Sequence, residues 1–102
     1  MRIIFLIALA LISTMSYSAD TYQTNTPNVY IKNFSCSGGK LSFNVVNKSA
    51  STVLKIYLNV FDADGDPIDK QLISGYIGPN SGKADAAYYD CNKLQRVGFS
   101  TN

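Results

Sequence analysis

The chain has 102 residues, a formal net charge of +2, two cysteines, no histidine and no glutamate. This length builds one small domain, and the scattered basic residues offer no track for the phosphates of a nucleic acid. Without histidine and glutamate the chain lacks the commonest general base, the usual metal ligand and most paired-carboxylate chemistry, so we expect no enzyme and no cofactor.

The N-terminus has the pattern of a secretory signal peptide. Arg2 is followed by an unbroken apolar block from residue 3 to residue 12, which is too short to span a membrane as a helix. Ser16 and Ser18 are small residues that satisfy the rule for cleavage after Ser18. We therefore predict that residues 1–18 are a cleaved signal peptide and that the mature protein is exported and not inserted in a membrane.

The two cysteines fit an exported chain. Exported proteins meet an oxidising environment, and a domain this small is marginally stable unless a covalent link supports it. No histidine and no CxxC spacing accompanies the thiols, which disfavours a catalytic or metal-binding pair. We predict a disulfide between Cys36 and Cys91.

The remainder of the chain has the period of β-strands. Residues 19–28 are polar and contain Pro27, so an irregular leader is expected before a domain that covers residues 29–102. The clearest alternation lies in residues 40–47, where Leu41, Phe43 and Val45 share one face. Further strands are predicted over residues 29–36, 53–61, 68–77, 83–91 and 95–101. The pattern indicates an all-β antiparallel sandwich, or a small open barrel, of about six or seven strands.

The strand over residues 53–61 carries aromatic side chains on the face opposite the core. Its core face is expected to hold Leu54, Ile56, Leu58 and Val60. An exposed aromatic face suits a protein partner, whereas the alternatives are cross-strand pairs that stabilise a small sheet and contacts within a dimer. An adjacent tyrosine pair later in the chain must send one ring to each face of its strand. The candidate partner-binding residues are therefore Val53, Tyr57, Phe61, Tyr88 and Tyr89.

The stretch after this strand, DADGD at residues 62–66, places carboxylates at every second position, as a calcium loop does. Such a loop needs glycine where Pro67 stands and a bidentate glutamate where Ile73 stands. Between two strands the same stretch predicts a hairpin turn, in which Gly65 takes a positive φ and the aspartates accept backbone N–H groups. We expect no tight metal site, with weak calcium binding left as the alternative for Asp62, Asp64 and Asp66.

Three short motifs resemble the FxLYD-type immunoglobulin-like domains of exported bacterial proteins. Residues 58–62, LNVFD, are similar to the aromatic-x-aliphatic-aromatic-Asp strand end of that family. Residues 43–49, FNVVNKS, resemble its V-x-N-x-S strand and turn, and residues 77–82, IGPNSG, resemble its L-x-P-G-x-x turn. The resemblance covers roughly residues 41–91. It implies an immunoglobulin-like or fibronectin-III-like sandwich in a bacterial envelope or secreted setting, without catalytic residues and without a defined ligand.

These observations together predict an exported, disulfide-linked, immunoglobulin-like β-sandwich of the periplasm or the secreted fraction. We expect it to bind a protein partner through the face around Tyr57 and Phe61. Two other functions fit the same residues. One is a self-assembling subunit or dimer that pairs through exposed strand edges, and the other is a small enzyme inhibitor that uses the turn at residues 78–82.

Overall fold

The computed structural model describes residues 17–102 of the chain. This region forms seven β-strands and one short 3₁₀ turn. The strands are β1 (Tyr17–Gln23), β2 (Val29–Ser37), β3 (Lys40–Asn47), β4 (Ile56–Phe61), β5 (Pro67–Ser74), β6 (Ser81–Tyr88) and β7 (Arg96–Ser100), and the 3₁₀ turn spans Cys91–Lys93. The predicted signal peptide lies outside the described residues, except for residues 17 and 18 at the start of β1. Between residues 17 and 102, no helix is long and apolar enough to cross a membrane.

The strands form two antiparallel sheets that pack as a sandwich. One sheet has the strand order β1-β2-β3-β6, and the other has the order β5-β4-β7. The chain crosses between the sheets after β3, after β5 and after β6, whereas β2–β3 and β4–β5 are hairpins. The predicted fold class, an all-β antiparallel sandwich with one disulfide, is confirmed.

The core follows from the alternation of β3 and β4. Leu41, Phe43 and Val45 of β3 are buried, as predicted, while Ser42 and Asn44 point away from them. The apolar residues of alternate positions on β4 belong to the same buried cluster. Burial of this surface, at roughly 25 cal/mol per Å², is the main stabilising contribution. The other members of the cluster include Val29, Ile31, Phe34, Ile73, Ile77 and Phe99.

The two sides of the sandwich are closed by different contacts. Between β1 and β7, the rings of Tyr22, Phe34 and Phe99 form an aromatic cluster with centroids 5.2 to 6.0 Å apart. Between β5 and β6, Ser74 Oγ donates a hydrogen bond to Asp85 Oδ2 at 2.7 Å. Both edges of the three-stranded sheet are thereby held against the other sheet.

The expectation of an irregular leader over residues 19–28 is wrong at its start. Residues 19–23 belong to β1, which pairs with β2 from Tyr17↔Cys36 to Gln23↔Tyr30. The polar segment becomes a strand because β2 offers an unpaired edge, and because the Tyr22 ring packs on Phe99 across the sandwich. The sandwich therefore begins before residue 29.

The strand predicted over residues 53–61 starts later, at Ile56. Val53 instead forms an isolated bridge with Ile77, with N–H···O bonds of 2.9 Å in both directions. Two exposed residues between Val53 and Ile56 break the alternation, so that Val53 is buried and Leu54 is 61% exposed. The predicted assignment of Leu54 to the core and of Val53 to the opposite face is wrong.

The predicted disulfide is present. Cys36 and Cys91 are bonded, with their Cα atoms 5.7 Å apart. Cys36 lies on β2, and Cys91 opens the 3₁₀ turn that Asp90 caps by accepting the N–H of Asn92 at 3.1 Å. The bond therefore links the four-stranded sheet to the connection that leads into β7.

Candidate interaction surface

The outward side chains of the three-stranded sheet form the candidate site, which we call the outer face. Its central strand, β4, contributes Tyr57, Asn59 and Phe61, all half-buried. This confirms the predicted placement of Tyr57 and Phe61 opposite the core. The cross-strand neighbours on β5 and β7 complete the face. Tyr57 lies between Leu72 and Ser100, Asn59 lies between Lys70 and Gly98, and Phe61 lies between Pro67 and Arg96.

Both aromatic rings of the outer face lie against a neighbouring strand. The Lys70 ammonium is 4.7 Å from the centroid of the Tyr57 ring, which is a cation–π contact. Phe61 lies beside Gly98, where an added Cβ would come within 3.5 Å of Phe61 Cε2. Part of each ring is therefore used within the sheet, and the remaining surface is open to a partner.

Three of the five candidate partner-binding residues are not on the outer face. Val53 is 6% and Tyr89 is 7% exposed, so their assignment to a docking surface is wrong. Tyr88 is 83% exposed, which shows which ring of the tyrosine pair points outward, but it pairs with Lys40 in the other sheet. Of the predicted residues, only Tyr57 and Phe61 share one surface.

A second apolar feature adjoins the outer face, and sequence reasoning missed it. Leu54, Leu72 and Tyr76 are 61%, 54% and 79% exposed. Together with Lys55 and Lys83 they line an open groove of about 500 Å³, which we call the basic groove. Leu72 is the cross-strand neighbour of Tyr57, so the basic groove and the outer face are continuous.

The backbone at Gly75 and Tyr76 shapes the basic groove. A Cβ at residue 75 would collide with the carbonyl oxygen of Leu54, so glycine is needed for the two segments to approach. Tyr76 has a φ of 57°, a conformation that is uncommon for a bulky residue, and its N–H donates to the Leu54 carbonyl oxygen at 3.4 Å. The one sequence signal for the groove is this Gly-Tyr pair, which interrupts the alternation of the strand predicted over residues 68–77, and the observed β5 ends before it at Ser74.

The aspartate stretch at residues 62–66 is a hairpin turn between β4 and β5, as predicted, and we call it the aspartate turn. Gly65 has a φ of 87°. Asp62 Oδ1 accepts the N–H groups of Asp64 and Asp66, both at 2.9 Å. These hydrogen bonds are sufficient to define the turn. The three carboxylates each place an oxygen within 4.8 Å of the others, and weak calcium binding there stays a prediction.

Opposite charges collect at the two ends of β4. The aspartate turn follows its last residue, and the two lysines of the basic groove lie near its first. In the part of the chain that the structure describes, the single ion pair joins Lys83 to Asp85 at 3.5 Å. The turn carboxylates and Lys55 therefore have no ion-pair partner among residues 17–102.

A tyrosine–aspartate hydrogen bond joins the end of β6 to β5. Tyr89 Oη donates to Asp69 Oδ2 at 2.8 Å. This bond, together with one from the Lys70 N–H, holds the pKa of Asp69 below its ordinary 3.8. Burial and the Asp69 carboxylate raise the pKa of Tyr89 to about 12. One pKa is lowered and the other raised, so the bond stabilises the fold most between the ordinary values of 3.8 and 10.0.

Tyr89→Phe is expected to destabilise the protein most near neutral pH. The advantage of the wild type should shrink as the pH falls through the lowered pKa of Asp69, because protonation removes the charged acceptor. It should shrink again from pH 10.0 to about 12, where tyrosine ionises first in the unfolded chain. Urea unfolding of both proteins across this range measures the difference. Tyr88→Phe, at the exposed neighbour, is the matched control, and a Tyr89→Phe effect that is constant with pH would contradict the expectation.

Comparison with protein-family models, with curated proteins and with solved structures finds no match to this chain. The resemblance of residues 41–91 to FxLYD-type domains therefore stays a prediction. Function is inferred instead from the chemistry of the outer face and of the basic groove.

Proposed function

We propose that this protein is a non-enzymatic, exported interaction module that binds a protein partner through the outer face. The observation that carries the proposal is an apolar strip on the outer face. It consists of Phe61 and Tyr57, with Asn59 between them, and of Leu72, which lies beside Tyr57 and leads into the basic groove. Aromatic residues are enriched at the centres of protein interfaces. Lys70 and Arg96 flank the strip, so the partner surface is expected to be apolar with acidic groups at its rim.

Support for export comes from the disulfide and from the N-terminal pattern. Disulfides such as Cys36–Cys91 persist in oxidising compartments and are rare in the cytosol. The signal-like pattern of residues 1–18 agrees with this compartment, although it lies mostly outside the described residues. We therefore place the protein in the periplasm or in the secreted fraction.

Support for a non-enzymatic function comes from the use of the carboxylates. Asp62, Asp69, Asp85 and Asp90 accept hydrogen bonds that close turns or join strands. The chain has no histidine and no glutamate to serve as an alternative acid or base.

Replacing Tyr57 and Phe61 together with serine is expected to abolish partner capture. Tagged protein, expressed from the full-length chain, would be cross-linked in the exported fraction, and the captured species would be identified by mass spectrometry. Interface aromatics that act as hot spots contribute about 2 kcal/mol or more each, so recovery should fall below about a tenth of the wild-type level. Unchanged recovery by a folded double variant would refute the proposal.

Two further variants control for folding and for position. Leu72→Ser removes an exposed side chain of the same strip, so it should weaken capture without unfolding the protein. Tyr30→Ser replaces a half-buried tyrosine that pairs with Val46 in the other sheet, and capture should be unchanged.

A further inference from the structure

The basic groove and the aspartate turn are complementary to each other. The groove offers apolar side chains between two lysines, and the turn offers three carboxylates with the small apolar residues Ala63 and Pro67, both exposed. They cannot meet within one molecule. The six residues of β4 hold them about 20 Å apart.

Both ends also have charges available for a partner. Asp64 is exposed, and it contributes its N–H rather than its carboxylate to the hydrogen bonds of the turn. Lys55 is exposed at the other end of the sheet. Within residues 17–102 neither side chain forms an ion pair.

A second copy of the chain can satisfy both ends at once. If a two-fold axis lies in the plane of the interface and perpendicular to β4, the two outer faces meet with their strands antiparallel. Each aspartate turn then lies over the basic groove of the other copy, so one contact occurs twice. An axis parallel to the strands would instead place acidic ends together and basic ends together, which is unfavourable. The charges at the two ends therefore favour the antiparallel arrangement, in which Lys70 in the middle row of the face comes close to its own counterpart and weakens the contact.

We infer that the protein forms a symmetric homodimer in which the outer faces pack together and each aspartate turn docks in the basic groove of the partner. The inference rests on the proposed function, because it names the occupant of the same face. In this dimer Asp64 of one copy faces Lys55 of the other, and the strips that contain Tyr57 and Leu72 cover each other. The formal net charge of the whole chain is only +2, so overall repulsion opposes association weakly.

The size of the outer face limits the affinity. Three strands spaced about 4.8 Å apart and about 20 Å long present a few hundred Å², whereas a typical stable interface buries about 800 Å² on each partner. We therefore expect a concentration-dependent dimer with a Kd on the order of 100 µM. The dimer should weaken in 1 M salt, where the screening length falls to about 3 Å.

Sedimentation velocity tests the dimer with protein purified from the exported fraction, at concentrations from about 1 µM to about 1 mM. Lys55→Glu and Asp64→Lys are each expected to raise the Kd at least about tenfold, because each places like charges together at both contacts. The combined variant exchanges the two charges and should restore the Kd to within about threefold of the wild type. Lys32→Glu reverses an exposed charge on a strand of the other sheet and should leave the Kd unchanged.

The possible outcomes separate this inference from the proposed function. A protein that stays monomeric to about 1 mM overturns the homodimer. If cross-linking still captures one heterologous protein that depends on Tyr57 and Phe61, the proposed function stands. If neither single charge reversal changes the Kd, or if the combined variant does not restore it, the dimer interface lies elsewhere. Either result also overturns the inference. A monomeric protein that captures nothing refutes both.

Discussion

Removing the Cys36–Cys91 disulfide is expected to lower the free energy of unfolding by about 4 kcal/mol. The bond joins residues 55 positions apart, so its loss returns a large loop-closure entropy to the unfolded chain. Domains have total stabilities of about 5–15 kcal/mol, and small domains lie near the lower limit. Cys36→Ala combined with Cys91→Ala should therefore leave a protein that is largely unfolded at 37 °C. Urea unfolding of the oxidised wild type and of the double variant measures the difference.

A reductant separates the loss of the cross-link from the loss of packing around the two sulfur atoms. The reduced wild type and the double variant should have similar stabilities, because both lack the restriction on the unfolded chain. The stability of the double variant should not respond to the reductant. A difference below about 1 kcal/mol between the oxidised wild type and the variant would mean that the two sheets are stable without the cross-link.

Features that depend on neighbouring residues were predicted well from the sequence. In β3 the alternation of Leu41, Phe43 and Val45 agrees with burial, because a strand with partners on both sides has one face fixed on the core. The aspartate turn is equally local, since Gly65 supplies the positive φ and Asp62 binds N–H groups two and four residues later. The disulfide could be predicted from the expected oxidising compartment and the number of cysteines, because two cysteines allow only one pairing.

Features that depend on distant residues could not be predicted in this way. The alternation of residues 53–61 does not indicate that the Leu54 side chain is exposed. Its orientation depends on the close approach of Gly75 from another segment. Tyr89 turns inward after the end of β6, where its N–H donates to the Gly39 carbonyl oxygen at 3.0 Å and its hydroxyl reaches Asp69. The basic groove draws on three separate segments, so it exists only after the sheets have packed.

Replacing Asn47 with alanine is expected to cost about 3 kcal/mol of unfolding free energy. Asn47 is fully buried at the end of β3. Its Nδ2, which carries two hydrogens, lies 2.8 to 3.0 Å from the carbonyl oxygens of Ser51, Ile77 and Gly78, so two of these acceptors share one hydrogen. Its Oδ1 accepts from the N–H and the hydroxyl of Ser49 at 3.0 and 2.6 Å. Alanine would remove these donated and accepted hydrogen bonds, and each contributes about 1 kcal/mol net. The three carbonyl oxygens would keep one other donor each, from Ser49 Oγ, the Val53 N–H and Ser81 Oγ.

The position of Asn47 explains why one side chain has so large an expected effect. Ser51 belongs to the connection from β3 to β4, and Ile77 and Gly78 belong to the connection from β5 to β6. The amide therefore ties together two of the places where the chain crosses between the sheets. Urea unfolding of the Asn47→Ala variant measures the cost, and a reduced midpoint with an unchanged slope would show that the folded state alone has lost stability.

Two matched variants identify the donated hydrogen bonds as the cause. Asn47→Asp keeps the shape and the acceptor for Ser49, but it directs an oxygen at three carbonyl groups, so at neutral pH it should be at least as destabilising as alanine. Asn44→Ala, on the opposite face of β3, should change stability by no more than about 0.5 kcal/mol. If Asn47→Ala behaves like Asn44→Ala, water replaces the amide and the crossings are held by the buried bridge between Val53 and Ile77 instead.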